Sequence, residues 1–117
     1  MRMERLILRV SDLDASIAFW TGEVGLELAG RAGTFAFIDG GGAQLVLNQV
    51  DERPDDASLT EIVLGTDDVR AAYDELAARG VPFEVELRPV TSDDKHELWA
   101  AHFRDPDGHL ASVTGWI

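Results

Sequence analysis

Apolar and polar residues alternate at the start of the chain. Leu6, Leu8 and Val10 fall on one face and Arg5, Ile7 and Arg9 on the other, the two-residue period of a strand with one side on a core. The period then lengthens. Ser11 or Asp12 supplies a capping oxygen for a helix expected to run to about Gly22, with Leu13, Ile17 and Trp20 on one side and Gly25 returning the chain. Three strands are predicted next, over residues 26–29, 34–38 and 43–47. Asp39-Gly40-Gly41-Gly42 forms the hairpin turn between the last two. Phe19 and Trp20 suit core or interface positions of the helix.

Residues 50–58 are polar, with Asp51, Glu52, Arg53, Pro54, Asp55 and Asp56, and read as a linker. Beyond them the order of elements starts again. A strand is expected over 60–64, a helix over 67–78 closed by Gly80, a strand over 83–87, a loop through Asp94, and strands over 98–104 and 109–114. The last two flank the turn Asp105-Pro106-Asp107-Gly108, where Pro106 presets one torsion, Asp105 or Asp107 can accept from backbone amides, and Gly108 can take a positive φ. A shift of 56 residues lays Val10-Ser11-Asp12-Leu13 on Thr66-Asp67-Asp68-Val69, and a shift of 68 lays Asp39-Gly40 on Asp107-Gly108. The chain thus reads as a duplicated β-α-β-β-β unit: module one at 1–50, a linker at 51–58 and module two at 59–117. In each unit one helix covers one sheet face and leaves the other available.

Composition narrows the function classes. The 117 residues are 45% hydrophobic and 27% charged, as in a soluble globular domain, and one domain is expected. The absence of cysteine excludes disulfides, thiolate metal sites and cysteine nucleophiles. Twenty-two acidic residues against ten Lys and Arg give a formal charge of −12, which repels polyanions and argues against nucleic acid. No apolar run is long enough for a membrane span, and charges at Arg2, Glu4, Arg5 and Arg9 interrupt any signal-peptide core, so a cytoplasmic location is expected. There is no nucleophile elbow, P-loop or dinucleotide fingerprint; Gly40-Gly41-Gly42 leads from strand to strand. The acid pairs Asp55-Asp56 and Asp93-Asp94 lie in polar loops and suit a solvated surface.

The run Phe103-Arg104-Asp105-Pro106-Asp107-Gly108-His109, together with the opening strand, Ser11-Asp12-Leu13-Asp14-Ala15-Ser16 and Phe19-Trp20, resembles the vicinal oxygen chelate superfamily. That superfamily includes glyoxalase I, ring-cleaving dioxygenases, and fosfomycin and bleomycin resistance proteins. The resemblance covers nearly the whole chain. It implies an α+β fold of two tandem β-α-β-β-β modules whose curved sheets form a cup, with the helices on the outer face. It also implies metal positions on the first and last strand of each module, which here fall on Arg5, Gln44, Glu61 and Ser112. Members with a metal centre fill these places with His, Glu or Gln, whereas Arg5 repels a cation and Ser112 is a short, poor ligand. Arg5 and Glu61 occupy repeat-equivalent inward positions, and an ion pair between them is expected where a metal would sit.

No metal or other cofactor is therefore expected, and no catalytic residue is assigned. Recognition in the cup would fall to Arg5, Phe35, Phe37, Gln44, Val46, Asn48, Glu61, Trp99, His102 and Ser112. His96 lies in a charged loop, His109 beside a turn, and Trp116 near the end suits a dimer edge. The resulting expectation resembles the bleomycin resistance proteins: a homodimer that sequesters a small molecule, cationic or aromatic, such as an antibiotic or natural product. The alternatives are a metal-dependent lyase, isomerase or dioxygenase of the glyoxalase type, a metal-free acid–base catalyst using Glu61 and His102, and a non-catalytic structural paralogue.

Overall fold

Asp12 and Asp68 open equivalent helices. The Asp12 carboxylate accepts the Ala15 amide at 3.1 Å at the head of α1 (Leu13–Ile17), and Asp68 accepts the Ala71 amide at 3.1 Å at the head of α2 (Val69–Ala78). The computed structural model describes residues 1–55 and 57–117; the expected linker position Asp56 lies outside the described residues. The chain divides into two units, Met1–Ala57 and Ser58–Ile117.

In module one, β1 (Arg5–Val10), β2 (Glu27–Ala32), β3 (Phe35–Asp39) and β4 (Gln44–Gln49) form a sheet in the order β1-β4-β3-β2. Module two repeats it with β5 (Glu61–Gly65), β6 (Phe83–Ser92), β7 (Glu97–Arg104) and β8 (Leu110–Trp116) in the order β5-β8-β7-β6. In both, the first and last strands pair in parallel and the other pairs are antiparallel. This is the expected α+β repeat.

The opening pattern reads out in the packing. Leu8 and Val10 of β1 are buried with Ile38, Leu45 and Leu47, while Arg5, Ile7 and Arg9 stay exposed. The first helix departs from its expected form. The α-turns end at Ile17, and Ala18–Glu23 continue as a wider π-type turn in which the Val24 amide bonds the Phe19 carbonyl at 2.9 Å. That turn buries two successive aromatics, Phe19 and Trp20, edge to face at 5.3 Å. In module two Val69 and Leu76 of α2 cover Ala101, Phe103, Ala111 and Val113, and the helix closes at Gly80, φ 95°.

Two further expectations are corrected. The loop expected before Asp94 is mostly strand, because β6 runs to Ser92. Pro89 is tolerated there since β6 is an edge strand whose pairing with β7 shifts register three times. The expected linker also ends in structure: Ala57–Leu59 form one 3-10 turn, with Ala57 buried. Among the described residues no helix is long and apolar enough to cross a membrane.

Candidate functional site

Paired residues of neighbouring strands share a sheet face, so the register maps what each helix leaves uncovered. In module one the uncovered face has three rows. The first is Arg5, Gln44, Asp39 and Glu27; the second Ile7, Val46, Phe37 and Gly30; the third Arg9, Asn48, Phe35 and Ala32. All six candidates from this module, Arg5, Phe35, Phe37, Gln44, Val46 and Asn48, therefore lie together. Arg5 Nε donates to Gln44 Oε1 at 3.3 Å, and its Nη1 lies 3.7 Å from Glu4 Oε2. Phe35 and Phe37 stack at 6.4 Å with their planes 19° apart. Val46 is buried although it faces away from the helix, and Thr34 Oγ1 donates to Asn48 Oδ1 at 2.9 Å. A groove of about 580 Å³ runs along the first row, between the segment from Arg2 to Arg5 and the turn at Gly41 and Gly42.

In module two the uncovered face brings Glu61, His102 and Ser112 together. Ser112 Oγ donates to Glu61 Oε2 at 2.9 Å, and His102 Nε2 lies 3.7 Å from the same oxygen. Ser112 is fully buried, and among the described residues His102 Nδ1 is buried without a hydrogen-bond partner. The repeat is offset here. Arg5 stands beside Gln44 across the parallel ladder, but Glu61 stands beside Leu110, and Ser112 beside Val63. The offset is two residues, which preserves the face, so the serine reaches its carboxylate diagonally.

Trp99 does not belong to this group. It pairs with Gly115 and alternates with His102, so its ring turns to the helix side, where the Arg70 guanidinium of α2 lies 4.7 Å above it. The sequence-based assignment of Trp99 to the binding face is thereby corrected: in β7 the odd-numbered Trp99, Ala101 and Phe103 are the helix-facing set. His96 is exposed at the Asp93 turn. His109 is a structural residue, buried with its Nδ1 2.7 Å from Asp105 Oδ2, and Gly108 takes φ 89° as the turn requires. Arg9 and Thr34 join the module-one face without having been singled out. The alternation of β1 already held the signal for Arg9, whereas Thr34 precedes β3 and had none.

The residues at the implied metal positions do not fit a divalent ion. In module one a guanidinium occupies one position and takes up the amide oxygen at the other. In module two the carboxylate accepts from a serine hydroxyl, leaving one imidazole as its neighbouring donor. Among the described residues no group of three His, Cys, Asp or Glu side chains is placed to hold a metal.

Two β-α-β-β-β modules, each with parallel outer pairing and one uncovered face, define a paired-module α+β protein of the vicinal oxygen chelate type. Residues 2–113 match the Glyoxalase/Bleomycin resistance protein/Dioxygenase superfamily, and the chain belongs to it. It is 30% identical over 112 residues to metallothiol transferase FosB of Lysinibacillus sphaericus (strain C3-41), covering 92% of this chain and 77% of that protein. It is also 30% identical over 125 residues to a probable lactoylglutathione lyase of Vibrio parahaemolyticus serotype O3:K6 (strain RIMD 2210633), covering 96% and 88%. Its fold is shared with a glyoxalase/bleomycin resistance protein/dioxygenase from Alicyclobacillus acidocaldarius, TM-score 0.82 at 22% identity, covering 99% of this chain and 92% of that one.

Proposed function

We propose that this chain binds a small, partly aromatic molecule and sequesters it without a catalytic metal. The observation that carries this reading is the Arg5–Gln44 hydrogen bond of 3.3 Å. It sets a permanent positive charge on one implied ligand position and spends the amide oxygen of the next. Around it Ile7, Phe35, Phe37 and Val46 supply apolar and aromatic wall, with Asn48 as a polar contact. Such a protein suits self-protection against an antibiotic or natural product, acting as a homodimer.

A second reading is enzymatic. The relatives named above are a transferase and a probable lyase, and Glu61 with His102, 3.7 Å apart, is a carboxylate–imidazole pair able to move a proton. Metal analysis of the purified chain, run beside thermal shifts with divalent ions, chelator and a panel of aromatic antibiotics, separates the two. Sequestration gives well under one ion per chain, a Tm indifferent to chelator, and a rise in Tm with ligand by mass action. Stoichiometric metal, or ion stabilisation lost with chelator, overturns it in favour of the enzyme.

A further inference from the structure

The net charge of −12 suggests a preference for cations, yet the uncovered face of module one is built differently. Its two guanidiniums, Arg5 and Arg9, stand at opposite ends of the β1 face with Ile7 between them. Their surroundings differ. Arg5 shares its row with Asp39 and Glu27, lies 3.7 Å from Glu4, and gives Nε to Gln44. Arg9 shares its row with Asn48, Phe35 and Ala32, none of them acidic. It is exposed, and among the described residues its guanidinium has no hydrogen-bond or ion-pair partner; Asp51 and Glu52, which follow β4, make no ion pair with it.

Next to this cation lies a stacking surface. The Phe35 and Phe37 rings are nearly parallel, Phe35 is itself exposed, and the Thr34 hydroxyl holds the Asn48 amide between Arg9 and Phe35. Beyond the rings β2 contributes only Gly30 and Ala32, and a Cβ placed on Gly30 would meet nothing within 4 Å. A flat group can therefore rest beside the phenylalanines without displacing a side chain. Arg9 and Phe35 are two strand spacings apart, roughly 10 Å between backbones, a gap that an arginine side chain and a bicyclic ligand together span.

Resting on the small-molecule reading above, we propose that the ligand is an aromatic anion, its ring against Phe35 and Phe37 and its carboxylate on Arg9 and Asn48. A guanidinium with free N–H groups is the natural partner of a carboxylate, and the nearby apolar wall lowers the competing hydration.

The test uses the full chain in calorimetric titrations with three probes of one ring system and different charge: 2-naphthoate, 2-naphthalenemethanol and protonated 2-naphthylmethylamine. Naphthoate is expected to bind about tenfold or more tighter than the ammonium probe. Arg9→Gln should bring naphthoate to the affinity of the alcohol, Arg9→Lys should keep most of the preference, and Arg70→Gln, on the helix side of module two, should change it less than about threefold. Equal binding of the three probes, or no effect of Arg9→Gln, overturns the anionic anchor while leaving a neutral-aromatic binder. Tighter binding of the ammonium probe overturns it in favour of a cationic ligand. If no probe binds and Arg9→Gln instead weakens concentration-dependent self-association, a second copy covers the face and the anchor falls. If no probe binds and the chain carries stoichiometric metal, the sequestration reading falls with it.

Discussion

Asp105 holds His109 twice. One carboxylate oxygen lies 2.7 Å from the imidazole Nδ1 and the other accepts the His109 backbone amide at 2.7 Å, while also accepting the Asp107 amide at 3.1 Å. Both side chains are out of contact with water, and the Asp105 amide donates back to the His109 carbonyl at 3.1 Å. The turn between β7 and β8 is thus closed by one buried carboxylate. Removing it strands an imidazole and two amides. Asp105→Ala is expected to cost about 3 kcal/mol, read as a lower urea midpoint with an unchanged slope. Asp105→Asn, which keeps the shape and one acceptor, should cost less.

Gly115 lies under α2 at the end of β8. A Cβ there would come 2.8 Å from Val69 Cβ and 2.9 Å from the Thr66 carbonyl oxygen, and the backbone oxygen cannot turn aside. Gly65, in the neighbouring β5, has nothing within 4 Å of the same position. Gly115→Ala should therefore destabilise by about 1–3 kcal/mol, whereas Gly65→Ala should be neutral or stabilise by up to about 1 kcal/mol through lost unfolded-state freedom. Paired thermal melts of the two variants test the contrast.

Asp93 carries the one pH-dependent expectation. The Lys95 amide, first, and the His96 amide donate to its carboxylate at 2.8 Å each and hold its pKa below the ordinary 3.8. A depressed carboxyl stabilises its turn above the unfolded pKa and loses that contribution as pH falls through the folded value. Amide shifts of Lys95 and His96 should therefore stay constant down to about pH 4 and move only below it. In Asp93→Asn that acid transition should vanish from both amides.

Arg70 and Trp99 offer a control for the binding face. The guanidinium sits 4.7 Å over the indole on the helix side of module two. Arg70→Ala should lower stability by about 0.5–1 kcal/mol and leave the affinity of any ligand held by the Phe35 and Phe37 face unchanged. A shared loss of stability and affinity would contradict the assignment of Trp99 to the helix side.

Much of this was legible in the alternation and the caps. Leu8 and Val10 announced the buried side of β1, although Leu6 on the same side is 41% exposed, and the match of Val10-Ser11-Asp12-Leu13 with Thr66-Asp67-Asp68-Val69 announced the duplication. The resemblance placed Arg5 and Gln44 on the candidate face of module one, and the two-residue alternation of β4 and β3 added Val46 and Asn48, and Phe35 and Phe37. Parity in β7 already put Trp99 on the side of Phe103 and opposite His102, so assigning both Trp99 and His102 to the binding face broke the strand's own alternation. Arg5 bonds Gln44 and lies beside Glu4, and Glu61 accepts from Ser112 beside His102. The two-residue offset between Glu61 and Ser112 was hidden because the turn equivalence of Asp39 with Asp107 says nothing about the ladder between β5 and β8. The extension of β6 through Pro89 escaped because bulged edge pairing tolerates a proline that a regular central strand would reject.

The parallel pairing of first and last strands has a consequence for how the protein is made. During synthesis β1 emerges first but its only sheet neighbour is β4, so its edge stays open until Gln49 has left the ribosome; β5 waits in the same way for β8. Each module therefore gains one of its two central strands last, and until then offers an unpaired edge to other nascent chains. The first sheet is built from β1 to β4 alone among the described residues, so it can be complete before the second has begun.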